Sequence, residues 1–110
     1  MTKVTFYQDC DGEILGFDAW GHAGYADAGE DIVCAAVSVL VLNTVNSIEA
    51  FKEDPFQTDV DEEEGRITLK FQQKPSRDAA LLMKSLILGL QGMEEEEENM
   101  QYIDVIFEEV

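Results

Sequence analysis

Between Ile32 and Phe51 the chain carries Ile32, Val33, Ala35, Ala36, Val37, Val39, Leu40, Val41, Leu42, Val45, Ile48 and Phe51. Wound at 3.6 residues per turn, these residues go nearly all the way round one long helix, expected to run to about Lys52. A helix apolar on every side must be covered on every side. In a chain of 110 residues that requires either a central helix wrapped by the rest of the domain or a helix partly covered by a second subunit. The longest apolar stretch, Ile32 to Leu42, includes Ser38 and reads as too short to span a bilayer.

What surrounds this helix reads as strands. Thr2 to Gln8 alternates, with Val4 and Phe6 on one face, and Ile14 to Gly21 returns after Asp9-Cys10-Asp11-Gly12, where Asp-Gly marks a hairpin turn. Phe56 to Asp61 and Arg66 to Gln72 form a second hairpin around Glu62-Glu63-Glu64-Gly65, with Phe56, Thr58 and Val60 answering Ile67, Leu69 and Phe71. Pro75-Ser76 opens a second helix whose Ala79, Leu82, Met83, Leu86, Ile87, Leu90 and Met93 keep one apolar face. Gly89 and Gly92 in it fit a close approach by another helix. Glu94 to Glu98 places negative charge near the helix C-terminus, so that end is expected to fray. Gln101 to Phe107 is the last strand, with Ile103, Val105 and Phe107 inward. The order β-β-α-β-β-α-β predicts one α+β domain over residues 1–110, a mainly antiparallel sheet packed with two helices.

Twenty-four acidic against seven basic residues give a formal charge of −17. Such a surface repels phosphate backbones, which argues against direct nucleic-acid binding. It either draws in a basic partner or simply maintains solubility. Cys10 and Cys34 form no CxxC motif, and with one histidine they make a poor zinc site, so neither a metal nor another cofactor is expected. Lys3 leads into Val-Thr-Phe-Tyr-Gln-Asp with no sustained apolar segment, so neither a signal peptide nor a membrane anchor is expected and cytoplasm, where thiols stay reduced, is the expected location.

Reactive chemistry concentrates in Gly21-His22-Ala23-Gly24-Tyr25 and Asp31-Ile32-Val33-Cys34-Ala35-Ala36-Val37-Ser38. Ala23 to Glu30, with Gly24 and Gly29, has no periodicity and reads as a loop able to rearrange over a site. Asp31 as N-cap would put Cys34 at the third helical position, where unpaired N–H groups and the helix dipole favour a thiolate and can supply oxyanion donors. The single imidazole of the chain, His22, can accept the thiol proton and return it to a leaving amine. Against this, cysteines are often small core hydrophobes, and Val-Cys-Ala-Ala reads equally as core. Asp31 has two competing uses, capping the helix or orienting His22; its charge so close also disfavours the thiolate unless imidazolium pairs with it. Ser38, one turn after Cys34, either helps shape the site or bonds its own helix backbone. Trp20 is an apolar wall beside the imidazole or a core residue. Cys10, between two aspartates, reads as incidental.

Gly-His-Ala, a glycine-containing loop and Asp-Ile-Val-Cys-Ala-Ala-Val-Ser resemble the ribosomal-processing cysteine protease (Prp) family, and the resemblance extends to length and element order. It implies a His22–Cys34 dyad. The glycine-containing loop, with Gly21, Ala23, Gly24 and Gly29, fits a gate over the thiol, and Asp31 and Ser38 are candidate supporting residues beside their readings as cap and backbone-bonded hydroxyl. It also implies a homodimer that removes an N-terminal extension from ribosomal protein twenty-seven of the bacterial large subunit, cutting after a hydrophobic, aromatic-containing stretch. Two rival expectations differ in class. A thiol redox sensor would use the same Cys34 without His22 as an acid, and an acidic chaperone of a basic ribosomal protein would use Cys34 only as core.

Overall fold

Alternation decides which way each strand faces. A computed structural model describes residues 1–21, 28–51 and 53–110, and in it β1 (Thr2–Gln8) turns Thr2, Val4 and Phe6 to the buried interior. It pairs antiparallel with β2 (Ile14–Trp20), Phe6 opposite Phe17 and Val4 opposite Ala19. The turn between them is held by Asp9, whose Oδ1 accepts the N–H groups of Asp11 and Glu13 at 2.9 and 3.0 Å. Gly12 takes the positive φ (82°) that closes it, a conformation cheap only without a Cβ.

The second hairpin, β3 (Phe56–Asp61) and β4 (Arg66–Phe71), has the expected register: Phe56 opposes Phe71, Thr58 opposes Leu69 and Val60 opposes Ile67. Its burial is one-sided. Ile67, Leu69 and Phe71 are core, whereas Val60 stays 49% exposed, because β3 is the sheet edge in the order β3-β4-β2-β1-β5. The last strand, β5 (Ile103–Glu109), lies parallel to β1, so the sheet is mixed and mainly antiparallel, as expected. Ile103 is buried, and Phe107 stacks on Phe6 with centroids 5.7 Å apart.

Two helices cover one face of this sheet. The first, α1 (Ala28–Phe51), is longer than expected. By length and composition Asp31–Phe51 suffices to cross a membrane, which the reading of Ile32 to Leu42 alone missed. Here it serves as the core helix, with Val33, Val37, Val41, Val45 and Ile48 buried against the sheet and α2. The apolar circumference is not covered throughout. Ile32 and Val39 are 69% and 67% exposed, and Ala35 and Leu42 share that open side.

The second helix, α2 (Arg77–Glu95), starts at Ser76, whose Oγ accepts the Ala79 N–H at 3.2 Å. Asp54 fixes that cap by accepting from Ser76 N and Oγ at 2.6 and 2.7 Å. Ala79, Met83, Leu86 and Leu90 are its buried stripe. Gly89 marks the helix crossing: a Cβ there would sit 3.4 Å from a Leu40 methyl. Gly92 has nothing within 4 Å, so it marks no such contact. The acidic C-terminus does not end loosely. Glu94 Oε2 accepts the Val105 N–H at 2.6 Å, tying the last turn to β5.

Candidate active site

Cys34 lies on α1 over the end of β2, half-buried, facing a pocket of about 10 Å³ lined by Thr2, Ala19, Trp20, Gly21, Val37, Ser38, Val41, Gly65 and Ile67. The sheet brings these residues together: Ala19 pairs with Val4 on one side and Ile67 on the other. Gly21 continues past β2, donating its N–H to the Gly65 carbonyl at 2.8 Å. Gly65, at φ +64°, ends the β3–β4 turn, whose Asp61 Oδ1 accepts from Glu63 and Glu64 N–H at 3.1 and 3.2 Å. The two hairpins therefore meet at the thiol.

Gly21 is where the site is tightest. A Cβ at this position would lie 2.8 Å from Cys34 Sγ, inside van der Waals contact. No side chain larger than hydrogen fits while the sulfur keeps its place. Trp20 is not core: it is 55% exposed, and its indole N–H donates to the Glu64 carbonyl at 3.1 Å. It fastens β2 to the neighbouring turn at the rim of the pocket.

The helix start differs from the expected one. Because α1 begins at Ala28, Asp31 is the fourth helical residue and not the N-cap, and Cys34 is the seventh rather than the third. Ala28 and Glu30 are good helix formers, and they carry the helix back through residues that lack apolar periodicity. The free N–H groups of a helix are its first four, so the Cys34 amide is engaged inside the helix and is not an oxyanion donor. The dipole effect, confined to the first turn, is correspondingly weaker at the sulfur. Gly29 belongs to α1 rather than to a loop. Ser38 lies half-buried one turn beyond Cys34 in the same pocket. Further along α1, Thr44 Oγ1 donates to the Leu40 carbonyl at 2.9 Å. His22, Ala23 and Gly24 lie outside the described residues.

Both cysteines are free thiols, Cys10 exposed in the β1–β2 turn and Cys34 half-buried. A cavity of about 1060 Å³ lies elsewhere, lined by Tyr7, Asp18, Asp59, Arg66 and Lys70 among others. It contains no cysteine and is organised by an ion pair, Arg66 Nε and Nη2 donating to the two oxygens of Asp18 at 2.9 and 2.6 Å.

Residues 1–104 match the family model of cysteine protease Prp. The chain belongs to the Prp family of cysteine proteases. It is 30% identical over 98 residues to the ribosomal processing cysteine protease Prp of Bacillus subtilis, covering 86% of this chain and 88% of that one. The Staphylococcus aureus Prp is 27% identical over 96 residues, covering 87% and 91%. The solved S. aureus Prp in complex with a substrate peptide superposes with a TM-score of 0.90 at 23% identity over 98% of this chain and 100% of that one, and so shares the fold. SMU.848 from Streptococcus mutans does so with a TM-score of 0.85 at 26% identity, covering 100% and 99%. In this Prp-family chain Cys34 lines the pocket where the two hairpins meet.

Proposed function

We propose that this chain is a cysteine endopeptidase in which Cys34 is the nucleophile and His22 its acid–base partner. Its substrate is the N-terminal extension of bacterial large-subunit ribosomal protein twenty-seven, cut after a hydrophobic, aromatic-containing stretch during ribosome maturation. The observation that carries this reading is the placement of Cys34. It is the thiol that a chain matching the cysteine protease family along residues 1–104 brings to a pocket where two hairpins and a helix converge. The named relatives are ribosomal processing proteases, which supports a ribosomal protein as substrate.

In this reading the imidazole of His22 takes the Cys34 proton, and the sulfur attacks the scissile carbonyl carbon. The imidazolium then gives its proton to the departing amine, leaving a thioester that water hydrolyses. The −17 charge suits a strongly basic substrate and speeds its encounter at low salt. It also disfavours direct binding of nucleic acid. The open side of α1, with Ile32, Val39 and Leu42 exposed, fits coverage by a second copy, making the enzyme a homodimer. Its place is the cytoplasm, where the thiol stays reduced.

The test is mass spectrometry of an extension peptide incubated with wild type, Cys34→Ala and His22→Ala. The expected result is a single cut after the aromatic stretch by wild type alone. Peptide bound but uncut by all three would overturn the peptidase assignment for this substrate.

A further inference from the structure

Thr2 lies at the start of β1, 1% exposed, and its backbone N–H is satisfied by the Tyr102 carbonyl at 2.7 Å. Its Oγ1 is the one buried side-chain oxygen or nitrogen among the described residues without a hydrogen-bond partner. An orphaned buried hydroxyl is destabilising, and a valine would fill the same volume without that penalty. Thr2 lines the same pocket of about 10 Å³ as Cys34 and Ser38. That space suits one water molecule, and a buried water needs two or more polar partners. Thr2 Oγ1, Ser38 and the Cys34 sulfur supply them.

We propose that the pocket beneath Cys34 is a one-water site and that Thr2 is a positioning residue acting on the sulfur through that water. The Thr2 O–H donates to the water, which donates in turn to Cys34 Sγ from the protein side. Each bond polarises the next. The anionic sulfur thereby gains a donor that the helix does not provide, since the free amides of α1 end at Asp31. This inference rests on Cys34 being the nucleophile, but the measurements below read the sulfur and the pocket whether or not a peptide is cut.

The experiment uses the full chain with Cys10→Ser, so that Cys34 is the only thiol. Iodoacetamide alkylation at one fixed pH is compared for the parent, Thr2→Val and Thr2→Ser, alongside thermal unfolding and water-to-Thr2 nuclear Overhauser effects. The expected result is a long-lived water at Thr2 in the parent. Alkylation should be roughly three- to tenfold slower in Thr2→Val, the size of one lost hydrogen bond. Thr2→Val should unfold at the same or a higher temperature, and Thr2→Ser should restore the rate. Parental alkylation in Thr2→Val, no rescue by Thr2→Ser, or no bound water would overturn the proposal. A Cys34 inert in the parent would instead sink the peptidase reading, and the water signal would then decide the pocket alone.

Discussion

Gly21→Ala tests how tightly the fold holds the thiol. The new Cβ would lie 2.8 Å from Cys34 Sγ, against an optimal carbon–carbon separation of about 3.5–4.0 Å. Gly21 has no positive φ, so alanine meets no backbone objection, and the conflict is with one sulfur at the end of one rotatable bond. Moving it off its preferred rotamer costs about 0.5–1.5 kcal/mol. Against this, replacing glycine stabilises by about 0.4–1 kcal/mol through the unfolded chain. The net loss of stability should therefore be at most about 1 kcal/mol, a fall in Tm of roughly 4–8 °C for a small domain. Alkylation of Cys34 should drop severalfold, because the sulfur is driven from its pocket. In a Cys34→Ala background the conflict is gone, and Gly21→Ala should become neutral or stabilising. The double-mutant cycle isolates this coupling, expected near 1 kcal/mol. Additive effects in the cycle together with an unchanged alkylation rate would refute the reasoning. Gly16 is the contrast: its added Cβ would strike the Leu69 carbonyl of the adjacent strand, which cannot rotate away, so Gly16→Ala should cost more stability whatever residue stands at 34.

Ser76→Ala removes the α2 cap and strands the Asp54 carboxylate that holds it; urea denaturation should show a loss of about 1–2 kcal/mol. Tyr7 has its pKa raised above the ordinary tyrosine value by burial first and then by Asp18 and Glu108. The folded state thus favours the neutral phenol. This contribution is intact below about pH 10, where the unfolded phenol titrates, and is lost as pH rises through the higher folded value. Tyr7→Phe should lose less stability than wild type between neutral pH and the alkaline limb of a pH–stability curve. Val39, 67% exposed on the open side of α1, carries the proposed self-association. Sedimentation equilibrium should find wild type dimeric and Val39→Glu monomeric, with the fold unchanged by circular dichroism.

The order of elements was legible because each hairpin and helix writes its own period into the chain. Val4, Phe6 and Phe17 alternate on strands, and Ala79, Met83, Leu86 and Leu90 recur at helical spacing. The turn at Gly12 and the cap at Ser76 were readable too, since their chemistry lies within a few residues. Cys34 stood out through its resemblance to a known motif. Asp31 was misread as a cap because capping and helix-interior aspartates look alike until the backbone before them is seen. Trp20 was ambiguous because its partner, Glu64, is distant in the chain.

What local spacing cannot encode is which strand ends meet. Alternation identified β1 and β5, but only packing made them parallel neighbours and left β3 at the edge with Val60 exposed. Likewise the apolar circumference of α1 was set by composition, while the side that meets the sheet is the one carrying Val33, Val37 and Val41, buried in one core with Ala19 and Ile67. That fit brings Thr2, Gly21 and Gly65 to Cys34. Residues tens of positions apart share that pocket because burying the apolar faces of sheet and helix is what stabilises the fold, and that depends on the whole surface rather than on any one segment.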